Sequence, residues 1–430
     1  MLHKTQFSLL TKRRFLPLFL TQFLGAFHDN LFKNAFVVLL LFSVSKADSQ
    51  TAIITTLAAG VFILPFVLFS PLGGALANKY PKHILVRYLK IAELLIAVLG
   101  TIALFTVSAP LSYLTLFALG AQSALFSPAK YSILPEQLEK QELLGGNALL
   151  NSSTFIAILL GTIVGASVIT LPQGVTIISG LLFFSAISGV IASWRIPAIP
   201  AIDSLTKISL NIFSSIFKIL REVGSQPAPL RMVIGGIAWF YFLGGTYLAQ
   251  IPNFAKITLN TTEAVLTLFL VTFSVFIALG GLLNNLLLRG RISLQYVPLA
   301  MAGITLFSLD LWYCASHYML PATPADMTTF LALPYGWRIL VDMALIALSG
   351  GLFVIPLNAS LQHAVSGAPR AFIMAGSALL NALFIIVSSI LCALMLGQNY
   401  GIPAIFMVFA LINVIPAVFF HKMLKKTKII

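Results

Sequence analysis

The sequence predicts an all-α, polytopic membrane protein with twelve transmembrane helices in two six-helix halves. Three observations lead there. The 430 residues are 59% hydrophobic and 9% charged, whereas a soluble globular protein carries about 25% charged residues. The apolar residues fall into twelve stretches, each near the roughly 20 residues that a helix needs to cross a bilayer. The lysines and arginines collect in alternate short loops. A chain this apolar could not cover its own surface in water, so lipid is the solvent for most of it.

The spans read as 15–43, 52–77, 84–107, 110–130, 143–169, 173–194, 230–254, 262–288, 293–316, 338–360, 371–396 and 402–421. Proline and glycine punctuate the joins, as in Leu171-Pro172-Gln173-Gly174 and Gly397-Gln398-Asn399-Tyr400-Gly401. The first span is too long, and too polar in its middle, for a cleaved signal peptide. The long segment 317–337 carries Pro321, Pro324 and Pro334 and reads as an irregular, surface-lying loop.

The charge placement fits this count. Lys4, Lys12, Arg13 and Arg14 precede span 1, Lys79 and Lys82 follow span 2, and Lys140 follows span 4. Arg195, Lys207, Lys218 and Arg221 lie between spans 6 and 7. Arg289 and Arg291 follow span 8, Arg370 precedes span 11, and Lys422, Lys425, Lys426 and Lys428 form the tail. With twelve spans all of these fall on one side, and the opposite loops hold little beyond Lys46 and Lys256. By the positive-inside rule both termini are cytoplasmic. The same distribution accounts for the net charge of +14 without nucleic acid, because no basic helix with interleaved aromatics is present.

The two halves echo each other. Gly73-Gly74-Ala75-Leu76-Ala77-Asn78 ends span 2, and Gly280-Gly281-Leu282-Leu283-Asn284-Asn285 sits in span 8. Ala148-Leu149-Leu150-Asn151 opens span 5, and Ala378-Leu379-Leu380-Asn381 lies near the start of span 11. The second pair is further apart in sequence than the first, as the long loop 317–337 requires. The expected organisation is a half at 1–194, a basic linker at 195–229 and a half at 230–430. Such an internal repeat is a transporter architecture.

The loop Gly74-Ala75-Leu76-Ala77-Asn78-Lys79-Tyr80-Pro81-Lys82-His83 resembles the signature loop of the major facilitator superfamily, Gly-x-Leu-Ala-Asp-Arg-x-Gly-Arg-Lys. Gly74, Asn78, Lys79 and Lys82 are its candidate conformational residues. Asn78 stands where the pattern has an acid, and Pro81 where it has its second glycine.

Span 1 is the most informative stretch. Gln22, His28, Asp29, Asn30, Lys33 and Asn34 lie among apolar residues. A charge inside a membrane helix costs roughly 2.5–3.5 kcal/mol on insertion scales and marks a functional candidate. Asp29 and Lys33 are spaced i, i+4 and share a helix face. Two readings follow, a mutually neutralising pair or a cavity lining, and the crowd of uncharged polar neighbours favours the lining. In span 3, Arg87 suits the interface, and Lys90 and Glu93 are spaced to pair. Lys130 lies beside Pro128 at the end of span 4, placed either to meet an anionic group or to anchor at the interface. In the second half Asp310 sits in span 9, and Arg338 and Asp342 are spaced to pair in span 10.

Phe27-His28-Asp29-Asn30-Leu31-Phe32-Lys33-Asn34 and Ser127-Pro128-Ala129-Lys130-Tyr131-Ser132-Ile133-Leu134 resemble the bacterial lysophospholipid transporter family. They are closest to the branch fused to acyltransferase and acyl-carrier-protein synthetase domains. Softer matches are Asn147-Ala148-Leu149-Leu150, Leu248-Ala249-Gln250-Ile251-Pro252 and Gly350-Gly351-Leu352-Phe353-Val354-Ile355-Pro356-Leu357-Asn358. The resemblance implies a major facilitator fold. It also implies movement of lysophospholipids, chiefly lysophosphatidylethanolamine, across the bacterial inner membrane for reacylation. The family's functional acid of helix 1 falls on Asp29 and its functional lysine after helix 4 on Lys130. Asn30 and Lys33 complete the candidate substrate set. Standalone members carry an arginine in helix 7, where this chain has Gly244, Gly245, Thr246 and Tyr247. No His-x-x-x-x-Asp acyltransferase signature occurs, so an acyltransferase is expected as a separate partner.

Two other functions fit the sequence less well. A major facilitator exporter of another amphiphile, such as a drug or siderophore, shares the fold but lacks the span 1 and span 4 motifs. A membrane-embedded lipid-modifying enzyme needs a nucleophile with a base, a metal cluster or an acid/base pair. The six histidines, at 3, 28, 83, 317, 363 and 421, have no ligand spacing, and Cys314 and Cys392 read as packing residues. No catalytic residue, cofactor or metal is expected.

Overall fold

A computed structural model describes residues 6–43, 48–201, 203, 208–209, 211–367 and 369–427, with side chains described outside 41–57 and 426–427. Lys4, Lys46, Lys207 and Lys428, and the side chain of Lys426, lie outside these. Among the described residues twelve helices reach 20 residues or more. They are α1 (Leu16–Ser43), α2 (Asp48–Lys79), α3 (Lys82–Phe105), α4 (Ala109–Gln137), α5 (Leu143–Val168), α6 (Gly174–Trp194), α8 (Ala228–Asn253), α9 (Glu263–Leu287), α10 (Val297–Ser316), α12 (Gly336–Ala364), α13 (Pro369–Gly397) and α14 (Ile402–Thr427). Each matches one span read in the sequence. Eleven are long and apolar enough to cross a membrane; α1 is the exception, because its polar residues dilute a 28-residue helix.

The differences have local causes. α4 runs seven residues past its expected end, through Pro128 and Pro135, to Gln137. A proline removes one N–H and frees the carbonyl four residues back, and a membrane helix tolerates this where a neighbour fills the gap. Here α2 packs along α4 so closely that a Cβ on Gly73 would fall 3.1 Å from the carbonyl oxygen of Ala124, the one that Pro128 frees. Two short helices were not foreseen. α7 (Ile212–Ser225) is a strongly amphipathic helix capped by Asn211, whose side chain accepts from the Ser214 amide. α11 (Met327–Ala332) lies in the loop expected to be irregular, capped by Asp326. That loop is pinned rather than loose. Ala325 bridges Thr261, its N–H donating to the Asn260 carbonyl and its carbonyl accepting from Thr262 at 2.9 Å each, and Asn260 also donates to the Pro321 carbonyl.

The chain divides into two compact units. One comprises Met1–Gln226 with Gln362–Ala382, the other Pro227–Leu361 with Leu383–Ile430. In the first, α1 packs on α5 and α6, α2 on α4, and α3 on α4 and α6. Its apolar core centres on Leu31, Phe32, Phe36, Leu116, Leu119 and Leu182. The N-terminal turn Gln6–Thr11 leads into a clamp, where Lys12 and Arg14 both pair with Glu142 ahead of α5, at 2.5 and 2.8 Å. At the start of α5, Asn147 and Gln362 exchange two amide hydrogen bonds of 2.9 Å, both side chains buried. The second unit packs α10 against α14 around a chain of aromatic rings.

Candidate functional site

α1 is held against α5 by a seam without side chains. Gly161 and Gly165 sit one turn apart on α5, and a Cβ at either would strike the α1 backbone, 2.6 Å from the Phe27 oxygen and 2.5 Å from the Leu31 oxygen. Small residues four apart are how membrane helices approach closely. The seam runs beside Asp29 and Asn30 and fixes their register.

Asp29 is buried, and its Oδ2 accepts a 2.7 Å hydrogen bond from Ser123 Oγ of α4. Its Oδ1 is buried with no hydrogen-bond partner. Asp29 and Lys33 do not form the ion pair that their spacing allows. Lys33 instead donates to Asn30 Oδ1 at 3.0 Å and lies over the Phe62 ring. Asn30 in turn donates to the Ala26 carbonyl. The neighbouring polar residues bind α1 to other helices: Asn34 donates to Thr162, Gln22 to Thr154, and His28 Nδ1 meets Ser185 Oγ at 2.9 Å.

Behind Asp29 lies a second layer that sequence reading only half saw. Lys90 and Glu93 form the expected pair, at 2.6 Å and almost wholly buried. Gln122 donates to Glu93 Oε2 at 3.0 Å, and Gln122 Oε1 lies 3.3 Å from Ser123 Oγ. Ser123 has one proton to donate, and the shorter contact gives it to Asp29. A continuous polar chain thus joins Asp29 to the buried ion pair. Ser123 and Gln122 were missed, although two polar residues in the middle of an apolar span, seven and eight before Lys130, were a readable signal. Arg87, expected at the interface, stacks on Trp194 and donates to its carbonyl.

Lys130 is buried, and its ammonium lies 4.4 Å from the centre of the Tyr131 ring. No carboxylate among the described residues lies within ion-pair distance of it. Ser123 and Lys130 are seven residues apart and share a face of α4, about 10 Å along the axis. Helical side chains lean toward the N-terminus, so the lysine stem shortens that gap. The structure joins Asn30 to Lys33 directly and Asp29 to α4 through Ser123. Among the described residues no hydrogen bond or ion pair joins Lys130 to α1.

In the signature loop, Asn78 is buried and its carbonyl accepts from the Asp203 amide. Lys79 lies over Tyr80. Lys82 is fully buried and pairs with Glu136 at 3.0 Å, which also meets Arg370 at 3.5 Å. The buried lysine of this loop is thus neutralised by a carboxylate at the end of α4. Gly74 faces α13, where a Cβ would fall 2.8 Å from that of Ala375. In the second unit Arg338 pairs with Asp310 rather than with Asp342, because the neighbouring helix offers both carboxylate oxygens to the guanidinium fork. Although no metal site was expected, one group of three ligand-type side chains converges among the described residues, Asp310, Cys314 and Asp342.

The helix count, the loop between α2 and α3 and the packing are those of an all-α polytopic membrane protein of major facilitator fold. Solved structures agree. The chain superposes on the human organic anion transporter TETRAN with a TM-score of 0.73 at 12% identity, covering 94% of this chain and 98% of that one. A bacterial homologue of the iron transporter ferroportin, outward-facing, gives 0.71 at 13%, covering 96% and 100%. The fucose:proton symporter of E. coli gives 0.66 at 13%, covering 94% and 97%.

Among curated proteins the chain is similar to lysophospholipid transporters. It is 28% identical to that of Enterobacter sp. (strain 638) over 347 residues, 80% of this chain and 78% of the relative. It is 27% identical to that of Escherichia coli O1:K1 and 26% to that of Photorhabdus laumondii, with the same coverage. No protein-family model matches the chain. The resemblance drawn from the span 1 and span 4 motifs and these relatives point to the same family.

Proposed function

We propose that this chain moves lysophospholipids, with lysophosphatidylethanolamine the leading substrate, from the outer to the inner leaflet of the bacterial inner membrane. Both termini are cytoplasmic in this reading, and a separate acyltransferase consumes the product. One observation carries it. A buried carboxylate with a free oxygen, Asp29, and a buried ammonium without an acid, Lys130, are both tied to one face of α4. Uncompensated charges of opposite sign suit a zwitterionic head group, its ammonium at Asp29 and its phosphate at Lys130. Asn30 and Lys33 supply further donors and acceptors beside Asp29.

The signature-loop residues Gly74, Asn78, Lys79 and Lys82 serve the conformational cycle rather than the substrate, with Lys82 held by Glu136. A repeat of two six-helix halves, 1–194 and 230–430 joined by 195–229, is supported by matching close approaches. Gly73 of α2 meets the backbone of α4 at Leu125, and Gly280 of α9 meets that of α12 at Leu348. These are the second and fourth long helices of each half. The chain acts without catalysis in this reading.

The test is transbilayer movement of labelled lysophosphatidylethanolamine in liposomes holding the purified protein. A charge-assisted hydrogen bond is worth about 1.5–3 kcal/mol, roughly ten- to hundredfold in affinity. Asp29→Asn and Lys130→Ala should each lose transport by that factor, and Ser123→Ala, which only orients Asp29, by less. Wild-type movement no faster than in empty liposomes, with proton and sodium gradients supplied, would overturn the reading in favour of an exporter of another amphiphile.

A further inference from the structure

The second unit contains a charged cluster that the lysolipid reading does not use. Asp310 of α10 receives Arg338 Nε of α12 at 2.8 Å on Oδ2, and Arg338 Nη2 on Oδ1. The guanidinium fork occupies both oxygens. One turn along α12 from Arg338, Asp342 is 3% exposed, and its Oδ2 has no hydrogen-bond partner. Carboxylate oxygens of Asp310 and Asp342 and the Cys314 sulfur all lie within 4.8 Å of one another. The other groups on these elements are the Tyr313 ring under the guanidinium, and His317 packed on Tyr313 with Nδ1 against the Tyr313 carbonyl. None of these supplies a second cation to the carboxylates.

Charge counting then decides the state. Two adjacent carboxylates share one guanidinium, and that guanidinium is already committed to Asp310. Asp29 of α1 accepts a hydrogen bond from Ser123 and has Lys33 one turn away. Asp342 instead lies within 4.8 Å of a second carboxylate whose one cation is committed elsewhere, so like-charge repulsion adds to burial and favours taking up a proton over staying charged. A metal ion fits poorly, because the positive charge of Arg338 already fills the position facing Asp310.

We propose that Asp342 is a proton-binding site, and that the Asp310–Arg338–Asp342 cluster carries one exchangeable proton on Asp342 Oδ2. The step balances simply. A hydronium ion gives its proton to the carboxylate, an O–H bond forms, water leaves, and the cluster passes from one net negative charge to zero. Asp310 and Arg338 keep their charges throughout. The side chains of Arg338 and Asp310 are 52% and 28% exposed, so the cluster runs from the outer face of the fold to the buried acid. Nothing here depends on the substrate, so its failure would leave the lysolipid reading untouched.

The experiment is difference infrared spectroscopy of the purified full-length protein at neutral pH, in H2O and D2O, reading the carbonyl stretch of protonated carboxyl groups. Three variants give a pattern of signs. Asp342→Asn should remove the deuterium-sensitive band. Asp310→Asn should also remove it, because Arg338 is then free to pair with Asp342 and ionise it. Arg338→Gln should strengthen it, because two acids are left without a cation. Gross misfolding cannot produce loss in one partner variant and gain in another. A band unchanged in Asp342→Asn, or one unchanged in both Asp310→Asn and Arg338→Gln, would overturn the proposal.

Discussion

The two units bury different chemistry. The first carries Asp29, Lys90, Glu93 and Lys130 among α1, α3 and α4, knitted by Gln122 and Ser123. The interior of the second is aromatic: Trp239 stacks on Phe242 at 4.7 Å, Phe242 on Phe409 at 5.0 Å and Tyr247 on Phe406 at 5.1 Å, and Phe254 meets Phe406 at 5.3 Å. Among the described residues its one buried acid, Asp342, sits with Asp310 and Arg338. Aromatic pairs add about 0.5–1.5 kcal/mol beyond their burial, whereas buried charges are costly and are kept where they serve a purpose. The first unit therefore keeps costly charges in its interior, and the second keeps stacked rings in its own.

Substitutions can break or sharpen this contrast. The largest effect is expected at the buried ion pair. Lys90→Met leaves Glu93 uncompensated and should destabilise by about 3–5 kcal/mol, while the double variant with Glu93→Leu should recover most of the loss. Phe409→Leu in the aromatic core should cost less than about 1.5 kcal/mol. Thermal unfolding of the purified variants measures both, and equal losses would erase the distinction between the units.

The next effect concerns the seam that positions Asp29. Gly161→Ala pushes a methyl into the α1 backbone and should cost about 1–3 kcal/mol. Gly180→Ala on α6 has nothing within 4 Å of the added carbon, and should be neutral or slightly stabilising, up to about 1 kcal/mol, from helix propensity. Similar unfolding temperatures for the two would show that the seam has room to give.

The smallest effect tests the N-terminal clamp. Partial burial works to raise the Glu142 pKa, but the hydrogen bonds from Lys12 and the Glu139 amide, with the nearby charges of Arg14 and Lys12, outweigh it and hold the carboxyl below the usual glutamate value. A depressed carboxylate contributes stability that is complete above its unfolded pKa and lost as pH falls through its folded one. The clamp should be intact at neutral pH and weaken only below the ordinary glutamate range. Exposed pairs of this kind are worth up to about 1 kcal/mol. Proteolysis near Lys12 as a function of pH reads it, and Glu142→Gln should abolish the acid-induced increase.

The sequence disclosed the helices because long apolar runs and loop charges are strong signals. It disclosed Asp29 and Lys130 because charge in such runs is rare. Partnerships were harder to read. The spacing of Asp29 and Lys33 puts them on one face, yet a hydroxyl from α4 reached the carboxylate, and Asn30, three residues back, took the ammonium. The same competition moved Arg338 from Asp342 to Asp310. Lys90 and Glu93 were read correctly because the partner was local and buried with it. α7 was hidden because its amphipathic turns lie within a linker read only for its charge, and span 4 was expected to stop at residue 130 because the apolar run gives out there, whereas α4 continues through Pro135 to Gln137.

The glycine seam between α1 and α5 has a mechanical consequence. With no side chain between the two backbones, there is no slack for one helix to slide on the other. A force that shifts α1 at Asp29 is therefore passed directly to α5, whose near end holds Asn147, locked by two hydrogen bonds to Gln362. The two helices are thus coupled as one piece, from the glycine seam beside Asp29 to the amide latch at Asn147.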